Sequence, residues 1–474
     1  AGTIVTNGTG YVSVNGGAAG GYLINQTCTL GNLVWNDAAA GNTMGIRSGN
    51  TATINGYFTI TKGTFVSIDV ANGPAALDIN GTLTIGANGR LEGGNGDNDL
   101  QINITISGDW LQTGKWIPGD RCTVTFDGTT AQAISTTRAD VDATTDFYKL
   151  TIANSSAAVT FQDNAGNTFE MGNLLTVNTG CQFVCQDTFD PNTLTLTGTA
   201  TLRLEGGITD MSSAFTVNQS TVVLAGSTLN QTLPCQESDA GAISYYKLTV
   251  ANTGTSTATT SPTTGTLTVT NALRIEDDGV LAVDSTYDND ATLTMVGNAR
   301  LHLRGAITDD ASELGTAVTP GSGTIYYEDD ASQTVFTRIN ATTAFSYYNL
   351  VIDNSGAAVA SSEAAGVAID VDNDFTILDN DADFTSTSGT FTIGGSFINY
   401  GTFTHNSGTV TFDGTGTGTL FNRADVALSF NVLNVSGSGT VTVVSSITVA
   451  STFQVTAGTL QIGTSGSYSV RLYA

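Results

Sequence analysis

The segment Leu273-Arg-Ile-Glu-Asp-Asp-Gly-Val-Leu281-Ala-Val-Asp-Ser-Thr-Tyr-Asp-Asn-Asp-Ala-Thr-Leu293-Thr-Met-Val-Gly-Asn-Ala-Arg-Leu301-His-Leu303 decides the fold. Four short stretches alternate apolar and polar residues, and Gly, Asn and Asp break the chain between them. Leu273 and Leu293 are 20 residues apart, as are Leu281 and Leu301. Leu175 to Leu194 and Val177 to Leu196 give 19, and Phe58 to Leu83 gives 25. Strands this short, recurring on a beat of this length, suit one coil of a parallel β-helix, with inward positions in columns and Thr facing solvent. Leu273 is expected on Leu293, and Leu281 on Leu301, in adjacent parallel coils about 4.8 Å apart. About 20 coils are expected on this beat.

A longer repeat overlies the beat. Thr123-Val-Thr-Phe-Asp-Gly returns at Thr221-Val-Val-Leu-Ala-Gly, Thr324-Ile-Tyr-Tyr-Glu-Asp and Thr409-Val-Thr-Phe-Asp-Gly, at intervals of 98, 103 and 85 residues. Each copy is followed by a second anchor: Tyr148-Lys-Leu-Thr-Ile-Ala-Asn, Tyr246-Lys-Leu-Thr-Val-Ala-Asn, Tyr348-Asn-Leu-Val-Ile-Asp-Asn and the looser Asn431-Val-Leu-Asn-Val-Ser. A third pairs Ala200-Thr-Leu-Arg-Leu-Glu-Gly-Gly-Ile-Thr-Asp with Ala299-Arg-Leu-His-Leu-Arg-Gly-Ala-Ile-Thr-Asp. These anchors divide the chain into a strand-rich segment 1–49, a partial first repeat 50–122, repeats 123–220, 221–323 and 324–408, and a partial repeat 409–474. The fold class is therefore all-β, a parallel β-helix or β-solenoid built from super-repeats of roughly 100 residues. Tandem immunoglobulin-like sandwiches are the alternative. No Pro-rich or charged hinge separates the repeats, and the six Pro are scattered, which favours continuous stacking.

Composition agrees. Only 12% of the 474 residues are charged, Gly numbers 55 and Met four, so the helix formers of a bundle or an ordinary α/β enzyme are scarce. Fifteen basic against 42 acidic residues, net −27, argue against tracking a nucleic-acid backbone or binding anionic lipid. No run of 18 apolar residues exists to insert in a membrane. The chain opens at Ala1 without a Met or a basic-then-apolar leader, as a mature secreted product would. Five cysteines, Cys28, Cys122, Cys181, Cys185 and Cys235, in so Ser/Thr/Asn-rich a sequence predict one or two disulfides of open connectivity and a thiol left over.

The run Gly395-Ser-Phe-Ile-Asn-Tyr-Gly-Thr-Phe leading into Gly408-Thr-Val-Thr-Phe-Asp-Gly resembles the Gly/Thr-rich repeat proteins of bacterial and archaeal cell surfaces: adhesins, filament subunits and surface-layer proteins. The resemblance covers residues 50 to 474 and implies a secreted structural or adhesive role, with no catalytic residues to carry over.

The residues themselves point the same way. Lys62, Lys115, Lys149 and Lys247 are scattered, and the last two follow the Tyr of one anchor, so they do not converge as a lyase of acidic sugars requires. The doublets Asp277-Asp278, Asp309-Asp310 and Asp329-Asp330 read as solvated turns rather than paired glycosidase carboxylates. His302 and His405 are the only candidates for a neutral-pH base, and His302 stands where the preceding repeat has Arg203, as on an exposed face. Trp110 and Trp116 fall opposite Phe397 and Phe403 with the same six-residue separation, so they are expected in the core and not as sugar platforms. One Tyr of each doublet, Tyr245-Tyr246 and Tyr347-Tyr348, is expected to point inward.

Calcium is the cofactor with the best case, and Asp370, Asp372 and Asp374 are its candidate ligands. Sequons start at Asn7, Asn25, Asn80, Asn103, Asn154, Asn218, Asn230, Asn340 and Asn434 and are candidate glycan acceptors. The expected role is a secreted, non-enzymatic subunit of an extracellular filament or sheath, a homo-polymer formed head to tail by strand addition. Its candidate assembly residues are Ile4, Val5, Tyr11, Val12 and Val14 at one end and Val470, Leu472 and Tyr473 at the other. A monomeric cell-surface adhesin stalk that binds carbohydrate is the alternative.

Overall fold

The computed structural model describes residues 11–16, 22–37, 43–68, 74–94, 101–119, 121–137, 146–163, 168–208, 211, 215–216, 218–235, 243–261, 265–307, 314–338, 344–355, 359–362, 366–423, 428–463 and 468–472. Among them there is no helix, and the strands, mostly three to six residues long, pair in parallel. The chain is a parallel β-solenoid of about 16 turns, and immunoglobulin-like sandwiches are not what it forms. The expected registers hold: Leu273 pairs with Leu293, Leu281 with Leu301, Leu175 with Leu194 and Phe58 with Leu83.

A coil has three strand positions, and long strands bend to serve two of them. Phe58–Ile68 pairs through its first arm with Asn32–Asp37 and through its second with Thr43–Arg47. Twenty residues is thus the length of a tight coil, and loops lengthen the others.

Two compact units divide the chain. The first comprises Ala1–Gln231 with Glu237–Gly241, the second Thr232–Gln236 with Ala242–Ala474. In the first, one stack runs Cys28–Leu30, Thr51–Ile54, Ala75–Ile79, Ile102–Ile106, Thr123–Phe126 and Phe147–Ile152. The two anchors of the super-repeat are therefore consecutive rungs, Val124 on Leu150 and Phe126 on Ile152. The same holds in the second unit, where Ile325 pairs with Leu350 and Val410 with Leu433. Successive copies nevertheless change face. Within the first unit Thr221–Leu224 belongs to the stack of Thr201–Leu204. Within the second, Thr324–Tyr327 stacks on Arg300–Leu303, whereas Thr409–Phe412 stacks on Thr390–Ile393.

Inward residues alternate with outward ones along nearly every strand, and the inward columns of Leu, Ile, Val and Phe are almost fully buried. Trp110 and Trp116 lie in the core and meet edge to face at 5.1 Å, and Phe147 joins them. Phe397, Phe403 and Phe430 repeat the trio in the second unit, with the first pair again at 5.1 Å. Tyr245 and Tyr347 point inward as expected, and their hydroxyls donate to the carbonyls of Pro234 and Phe336.

The disulfide expectation fails. All five cysteines are free thiols; four are buried in the core columns and Cys28 is half-buried. Burial pushes the Cys122 and Cys185 thiols well up, and Cys235 to about 11, so they serve as small apolar fillers and not as nucleophiles or metal ligands.

Candidate assembly face

The last described coil of the second unit breaks the burial rule. In the preceding coil the inward residues Leu433, Val435, Val441, Val443, Ile447 and Val449 are buried. Their register partners are Phe453, Val455, Leu460, Ile462, Val470 and Leu472. These keep the inward phase but lose the cover: Val455 is 43% exposed, Ile462 40% and Leu472 63%, while Phe453, Leu460 and Val470 are half-buried. Three strand segments, Thr452–Val455, Thr459–Ile462 and Val470–Leu472, form the rim, each paired on one side among the described residues. Such a rim offers a row of backbone N–H and C=O groups beside an apolar floor, which is the chemistry of strand addition.

The first coil of the first unit is its counterpart. Its strands are Tyr11–Gly16, Tyr22–Ile24 and Cys28–Leu30, paired in parallel with Asn32–Asp37, Thr43–Arg47 and Thr51–Ile54. Val12 and Val14 share register with the buried Leu33 and Trp35, and Tyr11 with Asn32. Ile24 and Cys28 are half-buried although their partners Ile46 and Ala52 are fully enclosed. Of the assembly candidates, Ile4, Val5 and Tyr473 lie outside the described residues, and Val470 and Leu472 stand on the rim. Phe453, Val455, Leu460 and Ile462 were not foreseen, because their alternation matches that of any buried coil.

The acidic candidates do not converge as a metal site. Among the described residues no three His, Cys, Asp or Glu side chains are grouped to hold an ion. Asp374 accepts from the Ser396 backbone N–H at 2.7 Å, and Asp370 from the Ser346 hydroxyl at 2.6 Å. The Asp372 carboxyl is held above its usual range by partial burial and by the charges of Asp370 and Asp413, and Asp413 is raised by burial and by Asp370. This is unrelieved repulsion on an outer face. Among the sequons, Asn25, Asn80, Asn218 and Asn230 are exposed, Asn103 and Asn434 half-buried, and Asn7 and Asn340 outside the described residues. Asn154 is excluded as a glycan acceptor in the folded chain, because it is fully buried and its amide nitrogen donates to Thr130 O and Gln132 Oε1.

His302 is not the exposed residue expected from Arg203. It stacks flat on Tyr326 at 4.1 Å, and its Nδ1 lies 2.6 Å from Glu328 Oε1, while Arg304 Nε donates to Glu328 Oε2 at 2.6 Å. These hydrogen bonds hold Glu328 below its usual carboxylate range despite its burial. The cluster ties adjacent rungs together on an outer face. His405 caps a turn, its Nδ1 accepting from Ser407 N–H.

Polar residues missed by the sequence reading sit at the corners instead. Gln132, Gln231 and Gln333 are buried, and each Oε1 accepts a backbone N–H four or five residues back, from Gly128, Gly226 and Asp329. Each Nε2 donates to two carbonyls of the coil beneath: Ile106 and Gly108, Leu204 and Gly206, Leu303 and Gly305. Asn154, Asn252 and Asn354, the last residues of the Tyr anchors, are buried as well. A Gln nine or ten residues after the first three anchor Thr residues was the available signal.

No family model matches the chain, and no curated protein or solved structure does either.

Proposed function

We propose that this chain is a secreted, non-enzymatic structural subunit of an extracellular filament or sheath, of the Gly/Thr-rich surface-protein kind it resembles, and that copies join head to tail by strand addition. The observation that supports this reading is the rim coil, where six inward-phase apolar residues line three one-sided strand segments. A further coil would restore both the hydrogen bonds and the burial, and a parallel stack that continues without reversal gives a heterologous joint that need not close into a ring. Sedimentation and negative-stain imaging test it. The native chain should polymerise, and the double variant Ile462→Asp, Leu472→Asp should stay monomeric with unchanged β-content by circular dichroism. An intact chain that sediments as a monomer at high concentration would show that the coil is covered by other means, such as further residues of a longer chain, and would sink the reading.

A second reading, the carbohydrate-binding stalk, draws on one outer column of the second unit. Ile398 pairs with Phe421, beside which Tyr400 packs at 5.1 Å, and Tyr400 and Leu378 are 39% and 43% exposed. Most outer columns present Thr. Retention on an insoluble neutral polysaccharide, lost in Tyr400→Ala, would favour it.

A further inference from the structure

We propose that one outer face of the first unit binds ice, through rows of threonine hydroxyls and methyls held in fixed step. The proposal is independent of strand addition and applies to a single copy of the chain.

The face is the outer side of the stack that begins with Cys28–Leu30 and Thr51–Ile54. On five consecutive rungs the outward residue at one register is Thr: Thr105, Thr125, Thr151, Thr176 and Thr195. Beneath them the same column continues through Asp78 to Thr53 and Thr29. Seven of these eight rungs thus carry Thr, over about 34 Å at the usual spacing of paired strands. Thr29 is exposed and the others are half-buried. The next column, two residues on, is equally short. Asn80, Ser107, Asp127, Ala153, Asn178 and Thr197 each donate a backbone N–H to the coil beneath, so they extend the same ladder. The column on the other side is uneven, with Thr123, Lys149, Leu174 and Thr193, and there the Lys149 ammonium lies over the Tyr148 ring, 6.0 Å from its centroid.

A Thr-rich composition does not by itself produce such a run. In the second unit one outer column reads Thr249, Arg274, Thr294 and Thr319, and another Ala282, His302, Tyr326 and Val351.

The chemistry of the two short columns selects the ligand. Their rungs are about 4.8 Å apart and the columns about 6.6 Å apart, which makes a flat, two-dimensional grid. The rung spacing is close to the shortest repeat of the ice lattice, so successive hydroxyls meet successive lattice waters. Liquid water offers the same hydrogen bonds, and one hydroxyl alone therefore gains little. Many hydroxyls in register distinguish solid from liquid, provided they do not have to be ordered on contact. Thr meets that condition because its β-branched side chain is stiff at χ1. Its methyl adds apolar area that contact with the crystal removes from liquid water. A polysaccharide would need aromatic platforms, and the residues of these two columns include none.

Ice grown slowly on a cold finger, from a solution of the full chain and a co-dissolved dextran, should take up the chain and exclude the dextran. The double variant Thr125→Lys, Thr151→Lys, with β-content unchanged by circular dichroism, should be excluded as the dextran is. Thr294→Lys, on an outer column of the second unit, should be taken up like the native chain. Asp78→Thr completes the row and should raise uptake at the same freezing rate. An intact chain excluded with the dextran would overturn the proposal. Uptake that survives Thr125→Lys, Thr151→Lys, or that is lost in Thr294→Lys, would overturn the assignment to this face, and so would Asp78→Thr without a gain. A chain that fails to polymerise yet enters the ice would remove the strand-addition reading and leave this one standing.

Discussion

The corner after Phe126 in the first unit and the corner after Phe412 in the second begin with the same words, Thr-Val-Thr-Phe-Asp-Gly, and close in opposite ways. In the first, Gln132 turns inward and bonds Gly128 N, Ile106 O and Gly108 O, and Asn154 of the next coil donates to Gln132 Oε1 at 3.0 Å. In the second, Gly418 stands where Gln132 does and Gly437 where Asn154 does. There the coils approach backbone to backbone: a Cβ built at Gly414 would overlap the Gly394 carbonyl oxygen, and one at Gly437 the Gly414 carbonyl oxygen. One corner is held open by an amide that satisfies what it separates. The other is closed by having no side chain at all. The lesson is that a repeat can conserve its apolar rungs while exchanging its corner chemistry as a linked pair of positions.

The comparison can be broken most severely at the glycines. Gly414→Ala has no flexible neighbour to displace, so about 3 kcal/mol of destabilisation is expected by urea unfolding, and a change below 1 would show that the close approach is not what holds this corner. Gly418→Gln should not rescue anything, because its Cβ meets the Gly395 carbonyl and no Asn faces it. Gln132→Ala comes next. It strands buried backbone groups and the Asn154 amide, costing about 2 kcal/mol, and Gln333→Ala should match it in the second unit. Trp116→Phe makes the first unit's aromatic trio resemble the second's. It removes the 2.7 Å bond from Nε1 to the Asp146 carbonyl, and about 1 kcal/mol is expected by the same measurement.

The smallest effect is electrostatic and belongs to the second unit. Asp372 and Asp413 titrate above their ordinary value in the folded chain, so the protonated form is favoured by folding. Their contribution is complete below the unfolded value of 3.8 and is lost as pH rises through the raised folded values. A slight rise in melting temperature is therefore expected on going from pH 7 toward 4.5, smaller in Asp370→Asn, which removes one source of the repulsion. Glu328, shifted the other way, limits the gain at lower pH. A melting temperature that falls over this interval would reverse the sign argued here.

How much of this could be read from the chain follows from what each residue depends on. Rung pairing depends on periodicity, so Leu273 on Leu293 and the equivalence of Trp110 with Phe397 were legible. The state of the cysteines depends on whether two inward columns meet, which spacing does not carry, and composition suggested bridges where the structure has five free thiols. The corner Gln and Asn residues were passed over because the repeat was anchored on its apolar strands, and Asn154 entered only as a sequon. The rim was half legible. Val470 and Leu472 stood out as the last strand, but Phe453, Val455, Leu460 and Ile462 repeat the pattern of the buried coil beneath them, and no local signal separates a covered rung from an uncovered one.

The change of face between successive anchor copies has an evolutionary consequence. Within each unit one sequence repeat is not a whole number of coils, so a duplication that inserts one more copy would swing every later rung to a neighbouring face. Any outward feature tied to the repeat would then be displayed like steps on a spiral stair and not in a line. Lengthening such a chain by copying itself thus also reorients what it shows, and a lineage that needs a patch kept on one side must compensate with loop insertions or trimmed repeats. The 85-residue interval before Thr409 is no such compensation, since Thr324–Tyr327 and Thr409–Phe412 still stand on different faces.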